Sequence, residues 1–129
     1  MSEINHQIND CNMMLQHVWF YLGLSFLFIH ELDAIRCKEW RIFPLVSWLN
    51  DKAGERVFVF AHIPLFCWIF IALNNPTNRF IQLFDAFMVV HGVLHLLFLL
   101  HPKNEFKDFI SWLIIICAAI CGIIDLAFT

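Results

Sequence analysis

Four long runs of apolar residues, separated by shorter polar segments, dominate the sequence. They cover residues 15–35, 57–73, 80–100 and 109–128. Each run approaches the ~20 residues that an α-helix needs to cross the ~30 Å hydrocarbon core of a bilayer. An open strand cannot lie in hydrocarbon, because its backbone polar groups would have no partners. The pattern therefore predicts an all-α fold, a four-helix transmembrane bundle.

The connections between the runs are short, so consecutive helices are expected to be antiparallel neighbours in an up-and-down bundle. The longest connection, residues 36–56, contains Pro44. Residues 74–78 have the composition of a turn. Pro102 ends the third helix, because proline cannot continue it. Residues 1–129 are expected to form a single domain.

The composition agrees with a bilayer as the solvent. Hydrophobic residues make up 60% of the 129-residue chain and charged residues 15%, which is more apolar surface than a soluble domain of this size can bury. We therefore expect contact with membrane lipid, and a homo-oligomer in which protomers share apolar surface. The net charge of −3 gives no indication of a nucleic-acid partner. The first 12 residues lack the positive segment of a signal peptide, so none is expected.

The basic residues indicate an orientation. Of the eight Lys and Arg residues, seven lie in the first and third connections, and Arg79 is the remaining one. Short cytoplasmic loops carry such an excess of positive charge. The sequence therefore predicts that both basic loops are cytoplasmic and that both chain ends lie outside, with the bacterial inner membrane as the expected location.

The first apolar run ends in a dense group of ionisable side chains. His30, Glu31 and Asp33 lie inside the run, and several charged residues, Glu39 among them, follow it. An imidazole and two carboxylates at the edge of hydrocarbon are costly unless they are paired or bind a ligand.

Three histidines have similar predicted depths in the membrane. Each lies six residues from a marker of the cytoplasmic end of its helix: His30 before Arg36, His62 after Arg56, and His95 before His101. Six residues correspond to ~9 Å of helix. His91 shares a helical face with His95, since residues four apart are neighbours. Separate hydrogen bonds from each histidine across the bundle would be the simplest alternative.

We interpret the shared depth as a metal site with His30, His62, His91 and His95 as ligands. Glu31 and Asp33 are then the candidate catalytic carboxylates, as general base or as partners that orient a ligand. Imidazole with carboxylate suits zinc first and iron second. Such an ion activates water, so the sequence predicts a metal-dependent hydrolase of a lipid or amphiphilic substrate.

Two resemblances accompany this interpretation. The pattern His30-Glu31-x-Asp33-Ala34, followed by Glu39-Trp40-Arg41, resembles uncharacterised families of small bacterial membrane proteins with HExDA…EWR or HxxEE-type motifs, which implies no activity. The His91-x-x-x-His95 pair, with histidine and aspartate on other helices, is similar to membrane metal hydrolases of the alkaline ceramidase kind.

Two further classes of function remain open at this point. Facing histidines in a four-helix bundle can bind haem through axial imidazoles. Alternatively, the chain is a non-enzymatic oligomeric membrane effector or pore module. On the opposite side of the membrane, Asp85 is expected to pair with Arg79, with Asp125 at a similar level.

The predicted orientation can be tested by cysteine labelling in intact cells, in a background whose native cysteines are replaced. An impermeant thiol reagent should label a cysteine introduced at Asn75, in the second connection, but not one introduced at Asn50. The reverse pattern would overturn the orientation.

Overall fold

In a computed structural model of the protein, which describes residues 16–128, the chain forms four long α-helices. They are α1 (Val18–Arg36), α2 (Asp51–Leu73), α3 (Asn78–Leu97) and α4 (Phe109–Phe128). By length and composition, each is able to cross a membrane. The predicted all-α, four-helix transmembrane bundle is therefore confirmed. The expected absence of a signal peptide concerns residues that lie outside the described part of the chain. The first residue of the first predicted run, residue 15, also lies outside it.

Side chains in the connections set where three of the helices begin. The Asn50 side chain accepts a hydrogen bond of 3.0 Å from the Ala53 N–H, so α2 begins six residues before the predicted start. The Thr77 hydroxyl caps α3 by accepting from the Phe80 N–H at 3.2 Å. The Asp108 carboxylate does the same for α4, from the Ser111 N–H at 2.7 Å. Such caps satisfy N–H groups that have no partner within the helix.

Three of the helices pack closely, and the fourth stands further away. Helix α4 lies against both α1 and α3 along their lengths. In α2 only three residues of 23 are buried, namely Gly54, Phe58 and Ile69. Buried residues of α1 and α3 form one part of the core: Phe20, Leu24, Leu27, Ile81, Phe84 and Met88, joined by Ile69. A second part lies at the end of the bundle that carries the basic loops and includes Ala34, Trp40, Phe106 and Ile115.

Close contact between α3 and α4 depends on a glycine. A Cβ atom added at Gly122 would lie 2.7 Å from the Asp85 carbonyl oxygen, which is closer than packing allows. The two backbones can therefore approach only because residue 122 has no side chain. Small residues have this role at many helix interfaces in membranes, where close van der Waals contact drives association.

The same interface buries polar side chains. Asp85 is fully buried beside Asp125, while Arg79 is exposed. The expected pair between Asp85 and Arg79 is therefore wrong. The Asp125 carboxylate also lies 2.8 Å from Nδ1 of His17, and it accepts a 3.1 Å hydrogen bond from the Phe20 N–H. Asp125 of the last helix thus holds the first turn of α1.

We predict that Gly122→Ala destabilises the bundle by about 1–3 kcal/mol, the usual cost of overpacking. The added methyl group meets a backbone carbonyl, which cannot rotate away. Gly92→Ala is the matched control, because its Cβ would lie 3.0 Å from the side chain of Ala119 alone. Thermal unfolding in detergent should show the larger loss for Gly122→Ala. An equal or smaller loss would contradict the proposed contact.

Candidate metal centre

The connection after α1 folds back towards the helix. The Cys37 N–H donates to the Asp33 carbonyl at 2.8 Å, and Lys38 follows with a φ of 52°, in the left-handed region. A left-handed residue just after a helix end redirects the chain. The short 3₁₀ helix Glu39–Arg41 therefore lies beside the end of α1.

The folded-back segment is held by packing and by ion pairs. A Cβ at Gly54 of α2 would lie 2.5 Å from Cδ1 of Trp40, so the indole ring rests directly on that glycine. The Arg41 guanidinium contacts the Asp51 carboxylate at 2.9 and 2.5 Å and the Glu105 carboxylate at 2.5 Å. These contacts join the first connection to the start of α2 and to the third connection, and they help to direct Glu39 into the bundle.

Three imidazole rings meet inside the bundle, at the level to which Glu39 is directed. His30 comes from α1, and His91 and His95 come from adjacent turns of α3. Their ring centroids are almost equidistant, at 4.7 Å for His30–His95 and 4.8 Å for the other two pairs. His30 is fully buried and His95 is 4% exposed. The i, i+4 spacing predicted for the α3 pair is therefore used to bring both rings against His30.

Ligand atoms of His30, His95 and Glu39 form a triangle close to the size that a metal ion requires. The Nε2 atoms of His30 and His95 are 3.1 Å apart, and the Glu39 carboxylate oxygens lie 3.8 and 3.7 Å from them. Two ligand atoms 2.0–2.1 Å from a tetrahedral ion lie roughly 3.3–3.4 Å apart. One ligand atom from each of these residues and from His91 all fall within 4.8 Å of one another. Small side-chain movements would therefore complete a four-ligand site.

Two nitrogen atoms in this group have no hydrogen-bond partner among the described residues. They are Nε2 of His91 and Nδ1 of His30, and both are buried. A buried polar atom without a partner costs free energy unless a ligand or water compensates it. Phe106 closes one side of the group, with its ring centroid 5.4 Å from His30 and 4.7 Å from His95.

Electrostatics at Glu39 also indicate that a positive charge would be favourable. The Glu39 side chain is only 12% exposed. Burial and the neighbouring Glu31 carboxylate raise the pKa of Glu39 to about 8, and His62 opposes this only in part. A carboxylate in these surroundings is thus short of positive partners, which a cation beside it would supply.

A cavity of about 280 Å³ opens onto this group of four residues. Glu39, His91 and His95 supply its polar wall. The remaining wall is apolar and comes from the folded-back connection and the end of α3: Ile42, Phe43, Pro44, Leu45, Leu94 and Phe98. A small molecule in the cavity would therefore reach three of the four candidate ligands from an apolar surrounding.

His62 and Glu31 form a separate contact beside the group. The Nε2 atom of His62 lies 2.8 Å from the Glu31 carboxylate, and Nδ1 lies 2.6 Å from the Phe58 carbonyl oxygen. Both ring nitrogens thus face acceptors, and both are satisfied only when both carry protons. In this arrangement His62 has no lone pair available for an ion.

Asp33 belongs to another group of polar side chains, where the end of α1 meets the start of α4. Its carboxylate accepts hydrogen bonds from the Ser111 hydroxyl at 2.5 Å and from Nε of Arg36 at 2.7 Å. The Arg36 guanidinium also contacts the Asp108 carboxylate at 2.5 Å. The Ser111 backbone N–H, followed by the Arg36 guanidinium, holds the pKa of the Asp108 carboxyl below its usual range. Asp33 is thus engaged in holding α1 to α4.

The structure brings together three of the four histidines predicted as ligands, namely His30, His91 and His95. It places His62 and Glu31 in the neighbouring contact, and Asp33 in the cluster with Arg36. The sequence interpretation did not include Glu39, because that residue follows the end of the apolar run. Helical periodicity gives no signal for it, since its position depends on the left-handed turn at Lys38.

Comparisons with known proteins identify a family but no activity. A model described as a family of unknown function (DUF6713) matches residues 16–129. No curated protein and no solved structure matches the chain.

We predict that Ser111→Ala destabilises the protein by about 1–3 kcal/mol, because the fully buried hydroxyl is a hydrogen-bond partner of the Asp33 carboxylate. Ser25→Ala is the matched control, since that hydroxyl makes an exposed bond to the Tyr21 carbonyl within one helix. Unfolding midpoints in detergent should fall for Ser111→Ala alone. An equal fall in Ser25→Ala would contradict this role of the Ser111 hydroxyl.

Proposed function

The chain belongs to this family of unknown function, DUF6713, and we propose that it is an integral membrane protein that binds a divalent metal ion within the bilayer. The proposed ligands are the imidazoles of His30, His91 and His95 and the carboxylate of Glu39. The ion connects α1, α3 and the folded-back connection.

The convergence of three imidazoles, two of them buried, on one carboxylate carries this proposal. The ligand atoms lie within 4.8 Å of one another, and Nε2 of His91 is buried without a partner among the described residues. Polar groups buried in low dielectric are costly alone and are compensated by a cation. The distance of 3.1 Å between Nε2 of His30 and Nε2 of His95 is also close to the separation of ligands on one ion.

The ligand types and the adjoining cavity favour hydrolytic chemistry with zinc, or with iron as the second choice. Imidazole and carboxylate ligands suit both ions. A divalent ion in such a site polarises a carbonyl group and lowers the pKa of bound water. His91, His95 and Glu39 line an apolar cavity of about 280 Å³, which suits the part of a lipid or amphiphilic substrate next to its reacting group.

Glu31 and His62 have a supporting role in this proposal. Their 2.8 Å contact lies next to the proposed ligands, since Glu31 follows His30 in α1. Residues that surround a metal site orient its ligands and tune their basicity. Glu39 replaces Asp33 as the carboxylate nearest to the reaction, because Asp33 is already bonded to Ser111 and Arg36.

The same distances favour a small ion over haem. Two imidazoles that bind haem iron axially lie on opposite sides of it, with nitrogen atoms roughly 4 Å apart at metal–nitrogen distances near 2 Å. The macrocycle also has to fit between the two rings. The Nε2 atoms of His30 and His95 are only 3.1 Å apart.

Elemental analysis of the detergent-purified protein tests the proposal. We expect about one zinc or iron per protomer, and no haem band in the absorption spectrum. His30→Ala, His95→Ala and Glu39→Ala should each lose the ion, because each removes one ligand. His62→Ala and Glu31→Gln should weaken binding by roughly 10–100-fold without abolishing it, the usual effect of partners that surround a site.

The control is His17→Ala, which removes another fully buried histidine, hydrogen-bonded to Asp125 at the far end of the bundle. This variant should retain the ion. Gel-filtration profiles identify variants that fail to fold. A wild-type protein without divalent metal, after growth with zinc and iron, would refute the proposal. A haem band in the absorption spectrum would favour the haem alternative. The absence of both metal and haem would favour a non-enzymatic module.

A further inference from the structure

One face of α3 runs continuously from the far end of the bundle to the candidate metal centre. Residues three or four apart share a face of a helix. This face carries three aromatic residues, then a histidine and one residue of the cavity beside the metal centre: Phe80, Phe84, Phe87, His91 and Leu94. Phe98, the next residue at this spacing, follows the helix and lines the same cavity.

A second cavity, of about 290 Å³, lies along the aromatic part of this face, between α1, α2 and α3. It is lined almost entirely by apolar side chains, Trp68 of α2 and Leu27 of α1 among them. Glu31 is its one ionisable lining residue. The cavity exists because α2 stands away from the other helices, with few of its residues buried.

The second cavity ends one turn of α3 before the candidate metal centre, and its described lining includes none of the four candidate ligands. The Phe87 ring lines the cavity and lies 5.6 Å from the His91 ring, measured between centroids. Glu31 lines the same end and directly follows His30. The distance along α3 from Phe80 to His91 is ~16 Å at 1.5 Å per residue. This is about half of the ~30 Å hydrocarbon core, the length of the chains in one leaflet.

We propose that this second cavity holds the hydrocarbon chain of a single-chain membrane amphiphile whose carboxylate binds at the metal centre. The proposal rests on the proposed function, because the ion supplies the partner for the polar end. The hydrocarbon chain of the ligand would lie along the aromatic face of α3, and its head group would lie at the level of His91.

Charge at the centre favours an anionic head group. A divalent ion with neutral imidazoles and the Glu39 carboxylate leaves one net positive charge. The negative charge of Glu31 does not cancel this charge, because the Glu31 carboxylate is paired with His62 at 2.8 Å. A ligand carboxylate would neutralise the remaining charge, and carboxylate oxygen is a normal ligand of zinc and iron.

Quenching of Trp68 fluorescence by a fatty acid brominated near the middle of its chain tests the proposal. With the metal-loaded protein in detergent, we expect saturable quenching that disappears in Trp68→Phe. A double variant, Leu65→Phe with Leu83→Phe, adds volume to two lining residues of the cavity. It should lose the saturable quenching while its metal content stays unchanged.

The matched control is Leu113→Phe with Ile120→Phe, which adds the same side chains to exposed positions of α4. It should be quenched like the wild type. Quenching that does not saturate, or that is equal in all variants, indicates ordinary surrounding lipid and overturns the proposal whatever the metal content. Saturable quenching in a protein that never binds metal would refute the proposed function, and with it the assigned carboxylate position, while leaving a chain-binding cavity.

Discussion

Ionisable side chains inside the four apolar helices need partners within the protein, because hydrocarbon supplies no water to replace them. Most of the ionisable side chains in the described part of these helices have such partners. At one end of the bundle His17 meets Asp125. Towards the other end His62 meets Glu31, and Asp33 meets Ser111 and Arg36. These contacts place the polar groups at fixed points along the helices and thereby hold α1 to α4 and α2 to α1.

The group formed by His30, His91, His95 and Glu39 differs from these pairs. Its three rings lie against one another, and two buried nitrogen atoms have no partner in the described part of the chain. Each neutral imidazole carries one N–H donor and one lone pair, and the lone pair can bind a cation. What distinguishes this group is that three imidazoles and a carboxylate place their ligand atoms within 4.8 Å of one another.

The loose position of α2 has a consequence for function. Tight packing of all four helices would bury more apolar surface, but it would also fill the second cavity, which lies between α1, α2 and α3. The folded-back segment around Trp40 instead anchors the start of α2 on Gly54, and its middle remains apart. In a bilayer the exposed apolar residues of α2 are solvated by lipid, so the separation costs less than it would in water.

The sequence by itself determined the number and approximate length of the helices, because backbone groups in hydrocarbon must be satisfied within each segment. It also indicated the level of His30 and His95, since the helical rise is constant at 1.5 Å per residue. The position of His91 and His95 on one face of their helix followed from their spacing of four residues. These features depend on position within one helix and need no knowledge of its neighbours.

Only the tertiary structure decided which side chains at that level meet. The rotation of each helix about its own axis is set by packing, so His62 lies at the predicted level yet contacts Glu31. The burial of Asp85 beside Asp125 likewise depends on the close approach permitted by Gly122. Glu39 enters the site because the left-handed Lys38 folds the chain back and Trp40 packs on Gly54. Such contacts between segments distant in sequence have no periodic signature, which is why the sequence could not reveal them.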